Sequence, residues 1–155
     1  MHSLVFELSK DPLLEEEYME TWNVEDDMSF LGPVADYVQE VPEEQQAKLW
    51  KEFVEEMAKY GAREEDGAIV FPVTFRTAWF ARAFDEFRRL ASEMTLEEFS
   101  SFRGGNTYRL KKLIENKFSD YIYASNSVQC LDAFVRTEME PEVRYYPGGV
   151  LDFHF

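Results

Sequence analysis

Apolar and polar positions alternate with a period of two at both ends of this chain, and with a period near 3.6 between them. Near the start, Leu4, Phe6 and Leu8 fall on one face and Ser3, Val5 and Glu7 on the other. That spacing predicts a half-buried strand, which Lys10-Asp11-Pro12 ends because proline cannot donate to a ladder. Near the far end, Leu151, Phe153 and Phe155 alternate with Val150, Asp152 and His154. Residues 142–146 and 150–155 flank Pro147-Gly148-Gly149, a connection rich in residues that tolerate positive φ, and this predicts a β-hairpin. The shared pattern predicts that the two ends pair in one sheet.

Between them the spacing is helical. Over 42–60, Leu49, Trp50, Phe53, Val54, Met57 and Ala58 form one stripe, with Pro42 opening the helix and Gly61 suited to its C-terminal cap. A short apolar strand over 67–72 then feeds a long helix capped by Thr74. Phe75, Trp79, Ala83, Phe87, Leu90 and Met94 recur on its buried side, and Phe80 and Phe84 widen the stripe. The stretch 67–94 is the expected centre of the fold. Thr95-Leu96-Glu97-Glu98 reads as a capping box that breaks this helix and starts a shorter one running to about Phe102. Arg103-Gly104-Gly105-Asn106 predicts a turn. Thr107 is placed to cap a further helix with Leu110, Leu113, Ile114 and Phe118 buried and Lys117 projecting. The Ser125-Asn126-Ser127 cluster predicts a break before a helix over 128–138. Short helices are expected over 13–20 and over 33–39, with Pro33 in the first turn of the latter. The expected fold is α+β: a single domain over 1–155, with five or six helices packed on a small antiparallel sheet that contains the N-terminal strand and a C-terminal β-hairpin.

Composition sharpens this picture. The chain is 45% hydrophobic, and its fourteen Phe, eight Tyr and three Trp predict a core of large rings. No apolar run approaches the roughly 20 residues of a membrane span, so no membrane association is expected. The start lacks the pattern of a secretory signal, and Cys130 stands alone, which leaves no intramolecular disulfide; a cytoplasmic location is the expectation.

Charge divides the chain. The formal net charge is -15. Residues 1–66 hold 19 acidic and 5 basic groups, while residues 67–119 hold 6 acidic and 9 basic ones. From 11 to 47 there is no Lys or Arg at all. Such a field keeps a protein soluble, opposes direct nucleic-acid binding and steers association toward a basic protein surface. Glu15, Glu16, Glu17, Glu20, Glu25, Asp26 and Asp27, with Trp22 among them, are the expected partner-binding residues. A Gly-Gly turn before a basic helix makes Arg103, Arg109, Lys111 and Lys112 candidates for anion binding; a face contacting the protein's own acidic half is the competing reading. No phosphate-loop spacing is present.

Other chemistry is thinner. His2, His154 and Asp152 lie on the terminal strands and would approach if these pair, offering two nitrogens and a carboxylate; without the tight spacing of a zinc motif, no metal or other cofactor is expected. Cys130 reads as a buried thiol on a helix flank. Tyr121, Tyr123, Tyr145 and Tyr146 read as packing residues with wet hydroxyls. The leading functional reading is a small acidic binding protein that engages a basic protein partner. A DNA mimic that occupies a DNA-binding protein or nuclease is the second reading. An enzyme whose site is assembled from dispersed residues is the third, and it requires a cleft with a perturbed acid or base.

Overall fold

The computed structural model describes residues 2–101, 103, 105–116 and 119–155. In chain order the elements are β1 (His2–Ser9), a turn of 3-10 helix (Glu15–Glu17), α1 (Thr21–Glu25), β2 (Tyr37–Glu40), α2 (Glu43–Ala58), β3 (Arg63–Glu65) and β4 (Ala68–Val70). There follow α3 (Phe75–Glu93), α4 (Leu96–Ser101), α5 (Gly105–Glu115), β5 (Tyr121–Ala124), β6 (Ser127–Cys130), α6 (Leu131–Thr137) and β7 (Arg144–His154). The expected positions of Phe102, Gly104, Lys117 and Phe118 lie outside the described residues.

The class is α+β, but the sheet is larger than expected and mixed. Its seven strands run β3-β4-β7-β1-β5-β6, with β2 also paired to β7. Only β1 and β5 pair in parallel among the described strands. The two ends of the chain do pair, with His2 opposite His154. The predicted C-terminal hairpin is absent, because β7 runs unbroken through Pro147-Gly148-Gly149. One edge of β7 follows β1; its other edge takes β4 near Tyr145 and β2 near Phe153. The organising element is therefore the β1–β7 pair rather than the 67–94 stretch.

Both faces of this sheet are covered. On one, Phe6, Leu8, Ile69, Phe71, Ile122 and Val150 pack against Phe53 and Met57 of α2, Phe75 of α3 and Phe134 of α6. On the other, Val5, Tyr121, Leu151 and Phe153 pack beneath Met19, Val24, Phe30 and Ala35. The acidic segment is thus a third layer, pinned by a few apolar side chains. Val5, expected to face away from the core, is buried for this reason; Val150, expected to do the same, is buried on the helix-covered face instead.

Helices set by local signals form where the spacing puts them, and the Thr95 capping box closes with Thr95 N–H donating to Glu98 and Glu98 N–H to Thr95 Oγ1. Of the long helix only Phe75 and Leu90 are fully buried, and Phe84 stays 59% exposed, because the far part of α3 packs on α5 rather than on the sheet. Residues 37–40 form β2, not the end of a helix. The 13–20 helix shrinks to the 3-10 turn. Residues 121–130 form a hairpin, since Ser125 and Asn126 both adopt positive φ and make the two-residue turn that matches strand twist; α6 starts only at Leu131. Thr107 lies inside α5 and donates to the Glu98 carbonyl rather than capping. Asp132, buried at the start of α6, accepts from the Trp79 indole at 2.8 Å and the Asn116 amide at 2.9 Å.

Candidate functional site: a cleft over a buried glutamate

The register of β1 against β7 slips by one residue at Glu7. Phe6 lies opposite Val150 and Leu8 opposite Pro147, so Gly148 and Gly149 together face the single residue Glu7. A bulge of this kind leaves a backbone donor without its ladder partner. Here the Glu7 carboxylate supplies the acceptor. Its Oε2 takes the Gly149 N–H at 2.8 Å and, from the acidic layer, the Met19 N–H at 2.8 Å. On the other side, the Trp50 indole of α2 donates to the Gly148 carbonyl at 3.0 Å. Gly148 has an ordinary φ; it is needed for space, since a Cβ there would stand 2.2 Å from Glu7 Oε2.

Glu7 is only 7% exposed, and burial raises its pKa above the ordinary value, with the two backbone donors pulling the other way. It lies at the floor of a cleft of about 690 Å³ at the carboxyl ends of β1 and β5. Lys10, Asp11 and Glu17 come from the segment leaving β1, Asn126 from the β5–β6 turn, and Glu138 and Glu140 from the end of α6 onward. Tyr123 and Tyr145 also line it, and burial raises the pKa of both phenols. The single base of the lining, Lys10, is hydrogen-bonded to Glu140, which raises its own pKa. The cleft is strongly acidic.

The folded protein holds the Glu7 proton more tightly than the unfolded chain does. This favours the fold below the unfolded carboxyl value of 4.5, and the advantage is lost as pH rises through the higher folded value. Glu7→Gln, whose amide oxygen can accept the same two N–H groups, is expected to raise the urea midpoint at pH 7 and to leave it unchanged near pH 3.5. An equal shift at both values would show that charge is not the cause.

Sequence periodicity put Glu7 on an outward face and missed this site. The available signal was a single charge inside the apolar run from Leu4 to Leu8, which is costly to bury unless the fold supplies donors.

The residues singled out by charge are placed as follows. Glu15, Glu16, Glu17, Glu20, Glu25 and Asp26 are exposed along the acidic layer, and Trp22 beside them is 56% exposed, its indole donating to Glu20 at 2.8 Å. Asp27 differs: it accepts from the Ser29 hydroxyl and N–H and from the Val128 N–H, and these bonds, the Ser29 hydroxyl first, lower its pKa. It ties the layer to β6. Of the four candidate anion ligands, Arg109 pairs with Glu86 of α3 at 2.8 Å and Lys111 with Glu115 at 3.8 Å, while Lys112 lies over the Tyr108 ring and Arg103 is exposed. Arg109 thus meets α3, not the acidic first half.

His2, Asp152 and His154 do meet. His2 Nδ1 is 2.9 Å from Asp152 Oδ2, and the His154 ring stacks on Tyr37 with Asp36 3.4 Å from its Nδ1. Among the described residues no group of three or more His, Cys, Asp and Glu is arranged to hold a metal ion. Nor is any helix among them long and apolar enough to cross a membrane. The chain matches no protein-family model, no curated protein and no solved structure.

Proposed function

We propose that this protein acts by binding a basic protein surface through its acidic layer. One observation carries the reading: the charges are segregated by partner as well as by sequence. Beyond residue 50, Glu52, Glu55, Glu56, Glu65, Glu86, Glu93, Glu140 and Glu142 each pair with a Lys or Arg. Among the described residues, no acid between 11 and 47 does so. Unpaired like charges held side by side repel, and a basic partner relieves that cost on binding, most strongly at low salt. Trp22, exposed in the same layer, supplies the kind of ring that anchors interfaces.

DNA mimicry is a narrower form of the same proposal. It is weakened by α2, where Lys48–Glu52, Lys51–Glu55 and Lys59–Glu56 neutralise a face that would otherwise extend the negative array.

The test uses wild type and the quadruple variant Glu15→Gln, Glu16→Gln, Glu25→Gln, Asp26→Asn as baits at 50 and 500 mM NaCl. A basic partner is expected on wild type at low salt, with at least ten-fold less on the variant and at high salt. Release by duplex DNA would assign mimicry. Equal capture by both baits would defeat the reading.

A further inference from the structure

We propose that the Glu7 cleft is a binding site for a primary alkylammonium group. The inference goes beyond the basic-partner reading and does not depend on it.

Four features of the cleft converge on this ligand. Its floor is a carboxylate that is more than nine-tenths buried, with Oε2 already taken by the N–H groups of Met19 and Gly149. Oε1 receives no hydrogen bond from the described residues, yet it is not sealed from solvent. The walls bring Asp11, Glu17 and Glu138 against no free base, since Lys10 is engaged by Glu140. Neutral acceptors and apolar surface complete it: the Asn126 amide oxygen, which the Tyr123 hydroxyl reaches at 3.3 Å, and the side chains of Leu13 and Met19.

The choice among cations follows from the count of free acceptor atoms. A guanidinium presents a planar fork that is best met by both oxygens of one carboxylate, and Glu7 has only one to give. An ammonium is a compact charge with three rotatable donors, which can share Oε1 with neutral oxygens nearby. A divalent metal needs several oxygen or nitrogen ligands, and the described residues offer no such group. An anion would face an acidic lining whose single base, Lys10, is already engaged by Glu140. The apolar flank suits a short alkyl stem behind the charged head.

Free polyamines and lysine side chains carry the same group, so the experiment includes both. The full-length chain, labelled with 15N, is titrated at constant ionic strength with n-butylammonium, n-butylguanidinium, n-butanol, spermidine and Nα-acetyl-lysine amide. The Met19 and Gly149 amides report directly, because both donate to Glu7. Saturable shifts are expected with n-butylammonium, at least ten-fold weaker binding with n-butylguanidinium, and none with n-butanol. Preference for spermidine or for the lysine derivative identifies the source.

Glu7→Gln is expected to weaken n-butylammonium at least ten-fold while the Met19 and Gly149 resonances remain dispersed. Should that variant fail to fold, Glu138→Gln on the wall is expected to weaken it two- to three-fold. The quadruple variant of the acidic layer leaves every member of this set in place and should bind n-butylammonium as wild type does. Linear shifts, equal binding of n-butanol, or affinity unchanged in both cleft variants would overturn the proposal.

Discussion

Gly148→Ala is expected to cost about 3 kcal/mol of folding stability, read as a fall in the urea midpoint. A Cβ at this position meets Glu7 Oε2 at 2.2 Å, Cδ at 2.6 Å and Cγ at 2.7 Å. The glutamate side chain is flexible in general but not here, because its carboxylate is held by the N–H groups of Met19 and Gly149. Either the carboxylate leaves and two buried donors lose their acceptor, or the strand moves and the Trp50 bond to Gly148 is strained. Overpacking alone costs about 1–3 kcal/mol, and charge-assisted hydrogen bonds about 1.5–3 kcal/mol each. The clash is with one named side chain, so the effect should be coupled to it. In a Glu7→Ala background, Gly148→Ala should cost less than about 1 kcal/mol, a coupling within the range seen for residues in contact. Equal costs in the two backgrounds would show that the glycine answers to something other than Glu7.

Phe30→Ala is expected to cost about 3–5 kcal/mol, the range for emptying a buried aromatic site. Phe30 is 1% exposed, and its ring meets those of Tyr121 at 5.1 Å and Phe153 at 5.0 Å. It is the largest anchor of a layer whose charges repel one another. Amide exchange should therefore accelerate first over residues 19–36 and only later in β1 and β7, and added salt should restore part of the loss by screening the layer. Uniform acceleration throughout the sheet would show that the acidic layer is not a separable unit of stability.

Much of this architecture was legible because it is local. The stripe over Leu49, Trp50 and Phe53, the capping box at Thr95 and the strand at Ala68–Val70 are each set by residues a few positions apart. What escaped depends on distant residues. Pro147-Gly148-Gly149 has the composition of a hairpin turn, and nothing nearby says that β1 will hold it straight. The deciding residue is Glu7, about 140 positions earlier, whose carboxylate serves the bulge. Tyr121-Ile122-Tyr123 and Val128 repeat at helical spacing too, and only the positive φ of Ser125 and Asn126 makes them a hairpin. Alternation in β1 predicts one buried face because a solvated second face is the usual partner of charge; Met19, Val24 and Phe30 cover it instead. The acidic residues were legible as a group, whereas their lack of counter-cations was not, since pairing is a property of the assembled surface.

The central place of β7 also governs how the chain can assemble. β1 has β5 on one edge and β7 on the other, β4 depends on β7 for its second partner, and β2 pairs among the described strands with β7 alone. Pairing His2 with His154 closes nearly the whole described chain into one loop before that contact returns any energy. A topology so dominated by remote pairings folds on the order of milliseconds to seconds rather than microseconds. On the ribosome, β1, β2 and β4 emerge well before their shared neighbour and wait with open edges, which invite pairing between chains. The like charge of the acidic first third opposes that pairing, because nascent segments of one sign repel each other during the interval when their strands are still unpaired.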